Sequence, residues 1–98
     1  MTRVVNLRAE PFDVYIGRAG KGRDGYFGNP FKMPFGFCTR EIRADVINRY
    51  YVYFHERLRD DAEFRGRVEA LRGKVLGCFC KPKPCHGDVI AAYLDGAA

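Results

Sequence analysis

A chain of 98 residues has room for one domain and not two, and its 47% hydrophobic content, with eight Phe and six Tyr, excludes a disordered composition. The formal charge of +5, with twelve Arg among seventeen basic residues, favours an anionic partner, because the planar guanidinium fork suits phosphate and carboxylate. No secretory leader pattern opens the sequence and no apolar run approaches the ~20 residues needed to cross a bilayer, so no membrane partner and a cytoplasmic location are expected.

Arg3–Leu7 and Asp13–Gly17 are short, apolar and β-branched, and read as strands on either side of the break at Glu10-Pro11. Their separation is too short for a crossover helix, so they are expected as hairpin partners or as an irregular edge followed by a core strand. From Gly17 to Gly36 glycine, basic and aromatic residues predict a long loop whose backbone N–H groups can approach an anion. Gly20–Gly25 matches G-x-G-x-x-G in form, but Tyr26–Pro30 follows it instead of a helix, so the dinucleotide fingerprint lacks its context. Asn29-Pro30 fixes a turn that Phe31 can dock, either for a ligand or only to close the fold. Thr39 is a good N-cap, and Ile42, Val46, Ile47, Tyr50, Tyr51, Phe54 and Leu58 recur at helical spacing. His55 has no neighbour that suggests a ligand and is read as structural.

A second helix is expected after Asp60-Asp61-Ala62-Glu63, with Phe64, Val68 and Leu71 as its apolar stripe and Gly73 as its stop. Lys74–Cys80 reads as a buried strand and Asp88–Leu94 as a terminal helix ending near Gly96. The order β, β, loop, α, α, β, α predicts the α/β class: one domain over 1–98, with a short three-stranded or slightly larger sheet packed by about three helices, Rossmann-like.

Chemistry concentrates in Gly77–Asp88, which holds three of the four cysteines and one of the two histidines. On an extended strand Cys78 and Cys80 share a face and are poorly placed to pair with each other. Pro84 suits helix position N1, which would put Cys85, His86, Gly87 and Asp88 in the first turn. Three readings compete. Cys78, Cys80, Cys85 and His86 form a C-x-C-x₄-C-H set of the ligands zinc takes, at an unusual spacing. Alternatively Cys85, near a helix N-terminus and flanked by Lys83 and His86, is a reactive thiol with His86 as base or proton donor, and Arg18, Asn29 and Asp88 orient the substrate, unless Asp88 only caps the helix. In the third reading Cys78 and Cys80 are buried core residues. Cys38 stands apart and is read as packing before the first helix.

Val14-Tyr15-Ile16-Gly17-Arg18, Gly28-Asn29-Pro30-Phe31, Leu76-Gly77-Cys78-Phe79-Cys80 and Pro84-Cys85-His86-Gly87-Asp88 together resemble the domain of unknown function 4326 family, small proteins of phage and bacterial genomes. The resemblance runs over nearly the whole chain. It implies a phage-type protein but no activity; Phe79 stands where most members carry Trp, which keeps a large aromatic between the cysteines.

The function expected is binding of a nucleotide-like or nucleic-acid phosphate between the glycine-rich loop and the Cys-His turn. Arg18, Lys21, Gly28, Asn29, Pro30 and Lys83 are the candidate ligand-binding residues, and Cys85, His86 and Asp88 the candidate catalytic ones. No cofactor is implied beyond the zinc alternative. The rival is a non-enzymatic accessory protein that binds nucleic acid or a host protein, with its cysteines structural or holding zinc. The two separate on whether loop and turn converge.

Overall fold

A computed structural model of the chain describes residues 1–20, 22–31, 39–79, 81 and 83–96. The readings placed on Lys21, Cys38 and Cys80 lie outside these. Helix α1 (Arg40–Asp60) begins where the Thr39 hydroxyl accepts the Ile42 N–H at 3.1 Å, and it buries Val46, Tyr50, Phe54 and Leu58, one residue every fourth position. Asp61 ends it and opens α2 (Ala62–Glu69), its carboxylate accepting the Phe64 N–H at 3.0 Å. Phe64, Val68 and Leu71 are buried, as their spacing predicts, and Gly73 leaves the helical region with φ of 79°.

Strands β1 (Arg3–Asn6), β2 (Val14–Tyr15) and β3 (Val75–Cys78) form one parallel sheet in the order β1-β3-β2, with Val4 and Val14 both opposite Leu76. β1 and β2 are therefore neither hairpin partners nor neighbours. β3 takes the centre because it is the most apolar run, and central parallel strands are covered on both faces. The connection from Leu7 to Asp13 returns across one face of the sheet, and Gly77 makes room for it: a Cβ there would lie 2.6 Å from Phe12 Cγ. Asp13 locks the start of β3, donating its N–H to the Val75 carbonyl at 2.7 Å and accepting the Val75 N–H at 2.8 Å. On the other face Leu76, Cys78 and Ile16 join Phe54, Phe64, Ile90 and Leu94 in the core.

The fold is α/β, with three strands and three helices among the described residues. It has one helical crossover, through α1 and α2 from β2 to β3, where a dinucleotide-binding half-domain has two. The terminal helix, α3 (Gly87–Leu94), starts later than Pro84. The Asp88 carboxylate accepts the Cys85 N–H at 3.0 Å, so Cys85 and His86 sit in a closed turn before the helix. Strand β3 ends at Cys78, with Cys78 buried and Phe79 47% exposed, the two opposed as alternation requires.

Candidate functional site

Parallel strands end on one edge of their sheet, and here three chain segments leave that edge together: Arg8 just past β1, Gly17-Arg18 past β2 and Phe79 past β3. With the turn Pro84–His86 and the first turns of α1 they enclose a cavity of about 820 Å³. Outside the carboxyl ends of the strands is where open α/β sheets hold ligands. Arg8, Arg18, Arg23 and Arg43 line the cavity, and no carboxylate is among its described lining residues. The glycine-rich loop and the Cys-His turn thus face one space.

The arginines have different work. Arg18 spans the start of the loop, its guanidinium donating to the Asn29 carbonyl and, at 2.7 Å, to the Phe31 carbonyl. Asn29, 5% exposed, donates through Nδ2 to the Val46 carbonyl at 3.2 Å and accepts the Phe31 N–H at 2.8 Å. Gly28-Asn29-Pro30-Phe31 is thereby pinned to α1. Arg43 Nη1 donates to the Pro84 carbonyl at 3.1 Å and ties α1 to the Cys-His turn. Arg8 lies 5.1 Å from the Phe79 ring centre and Arg23 4.6 Å from that of Tyr15, while Tyr15 and Phe79 meet edge to face with centres 6.3 Å apart. The rim combines two cations with two aromatic rings.

Cys78, Cys85 and His86 form the inner wall. The Cys78 and Cys85 sulfurs are 2.9 Å apart, and both residues are 1% exposed. The Gly87 N–H donates to Cys85 Sγ at 3.3 Å, and His86 Nδ1 lies 3.6 Å from the same sulfur. His86 Nε2 is 2.6 Å from the Ile16 carbonyl, which can only accept, so Nε2 carries a proton and in the neutral ring Nδ1 is the acceptor facing Cys85. Tyr50 packs edge to face on His86 with ring centres 5.0 Å apart; it donates to the Phe27 carbonyl at 2.9 Å, and burial holds its hydroxyl far above the ordinary tyrosine range. Although Cys78, Cys85 and His86 lie together, among the described residues no group of three His, Cys, Asp or Glu side chains is placed to hold a metal ion. Two thiolates on one tetrahedral zinc stand about 3.7 Å apart for Zn–S bonds of about 2.3 Å, so Cys78 and Cys85 would have to part to share one.

Of the residues expected at the site, Arg18, Asn29, Cys78, Cys85 and His86 line the cavity. Gly28 lies behind it against Gly17, while Pro30 and Lys83 are exposed away from the lining. Asp88 is outside the cavity too, its carboxylate taking the Cys85 N–H and the Lys81 ammonium, the latter at 2.5 Å. Sequence reasoning missed Arg8, Tyr15, Arg23, Arg43 and Phe79. A parallel pairing of the strands was the signal that would have found Arg8, since it sets the residues after each strand side by side. Arg43 carries no such signal, because a charged residue beside the apolar stripe of an amphipathic helix ordinarily faces solvent.

A family model described as Domain of unknown function (DUF4326) matches residues 1–96. The chain is also 36% identical over 95 residues, 97% of its length and 79% of the relative's, to the "Uncharacterized 12.4 kDa protein in nrdA-td intergenic region" of Enterobacteria phage T4. No solved structure matches it.

Proposed function

The chain belongs to the DUF4326 family, and from its cavity we propose that this small phage-type domain binds a phosphate-bearing, nucleotide-like ligand at the carboxyl edge of its sheet. The observation that carries the reading is the lining: four arginines, no described carboxylate and two aromatic rings around one space of nucleotide size. In it, phosphate meets the arginine charges and a base lies against Tyr15 and Phe79. Arg18 and Asn29 shape the loop. Chemistry on the bound ligand falls to Cys85 and His86, which line the wall, while Asp88 holds their turn.

Titration of the purified chain with ATP, AMP and adenosine tests this. Arg8 and Arg23 are exposed at the rim, so the double variant Arg8→Ala/Arg23→Ala should keep the fold. Charge-assisted hydrogen bonds contribute about 1.5–3 kcal/mol each, so losing even one should weaken ATP binding by about tenfold or more and leave adenosine unchanged. Equal binding of ATP by both proteins, or binding of neither phosphorylated ligand, would overturn the proposal. Should ATP be turned over, Cys85→Ser should abolish the reaction while binding persists.

A further inference from the structure

Cys78 and Cys85 come from different elements, the end of the central strand and the turn before α3, and the fold presses their sulfurs to 2.9 Å. That is inside the van der Waals separation of two sulfur atoms. Joining them at the usual S–S length of about 2.0 Å needs a shift of less than about 1 Å, far smaller than a backbone rearrangement. Both residues also line the cavity, although each is only 1% exposed, so a very small reagent has access where a bulky one does not. We infer that Cys78 and Cys85 are a redox-active dithiol, oxidised by a hydroperoxide to one reversible intramolecular disulfide on the cavity wall. No bound nucleotide is required for this.

The contacts assign the order of events. Cys85 Sγ receives the Gly87 N–H at 3.3 Å at the start of α3, a donor that stabilises negative charge on sulfur, so Cys85 is the attacking thiolate. Its sulfur attacks one oxygen of the hydroperoxide and the O–O bond breaks. Cys85 becomes a sulfenic acid, oxidised by two electrons, and the other oxygen leaves as water after taking up the thiol proton. Cys78 sulfur then attacks the sulfenic sulfur, the S–O bond breaks, and the hydroxyl leaves with the Cys78 proton as a second water. Two thiols and one hydrogen peroxide give one disulfide and two waters. A thiol reductant reverses the change by exchange through a mixed disulfide.

The test uses the full chain with Cys38→Ser and Cys80→Ser, which leaves Cys78 and Cys85 as its cysteines, with circular dichroism confirming the fold. One equivalent of hydrogen peroxide, added to the folded chain, should lower the intact mass by about 2 Da, abolish reaction of both thiols with N-ethylmaleimide added after denaturation and leave the chain monomeric. Dithiothreitol should restore both thiols. A gain of about 16 Da or more without thiol pairing, a covalent dimer, or two thiols still titrating would overturn the inference. Should the double variant fail to fold, the wild-type chain should lose two of its four thiols to peroxide, Cys85→Ser should prevent that loss and Cys78→Ser should stop it at one thiol, oxidised to a sulfenic acid with a gain of about 16 Da; a loss unaffected by either substitution overturns it. So does about one zinc per chain released on blocking these sulfurs, measured by elemental analysis of the protein as purified.

Discussion

Gly28 shows how a residue beside the site can matter without touching a ligand. A Cβ at this position would stand 2.6 Å from the Gly17 carbonyl oxygen and 3.0 Å from Arg18 Cα. Both neighbours are backbone, so no rotamer change relieves the overlap, and the two ends of the glycine-rich loop would have to separate. Gly28→Ala should therefore destabilise the chain by about 1–3 kcal/mol, the range for forcing extra volume into a packed region. Urea denaturation should show a lower midpoint at unchanged slope. An unchanged midpoint would mean that loop closure contributes little to the fold. The glycine was legible in the sequence as a place of close approach; what approaches it is a carbonyl of the same loop. Asn29 follows the same logic, since both ends of its side-chain amide are engaged within the fold, Nδ2 on the Val46 carbonyl and Oδ1 on the Phe31 N–H.

At the scale of elements, Asp61 does two jobs that one carboxylate can hold only while ionised. It caps α2 through the Phe64 N–H, and it meets Arg57 Nε at 3.4 Å in the last turn of α1. The hydrogen bond from Phe64, with Arg57 adding to it, lowers its pKa below the usual aspartate value. A carboxyl whose folded pKa is depressed contributes stability that is present above the unfolded pKa and is lost as pH falls through the folded one. Asp61→Ala should therefore lower the melting temperature at neutral pH, and the gap to wild type should shrink as pH drops below the ordinary aspartate range. Thermal melts across that range measure it; a gap that stays constant in acid would show that the carboxylate's charge is not what holds the junction. The first two helices were legible because each carries its own cap and stripe: Thr39 and Asp61, then Val46-Tyr50-Phe54-Leu58 and Phe64-Val68. The pairing of β1 and β2 was not, because strand partners are chosen by tertiary packing. Nothing between Leu7 and Asp13 announces that β3, some sixty residues away, will come between them.

The site depends on that same arrangement, which belongs to the whole molecule. Cys85-His86 was readable as a short polar turn at a strand-to-helix junction, but the arginines around it come from segments far apart in sequence and meet only because all three strands run one way. Net charge acts at this scale too. A surplus of five positive charges attracts any polyanion at low salt, so attraction alone does not separate a nucleotide cavity from a nucleic-acid surface. The salt dependence of binding does, because it counts the phosphates neutralised. A polynucleotide held by six to ten contacts loses about 10³–10⁵ in affinity between about 50 and 200 mM salt, and each contact contributes about 0.7–0.9 to the log–log slope. A mononucleotide in the cavity meets few phosphates, so its slope should be about 1–3 on the same scale. Fluorescence anisotropy with labelled ATP and with a labelled single-stranded oligonucleotide should therefore give a shallow line for ATP that shifts in Arg8→Ala/Arg23→Ala. A steep oligonucleotide line, tighter than ATP at every salt concentration and unmoved by that double variant, would place recognition on the general basic surface and make the domain a nucleic-acid accessory protein.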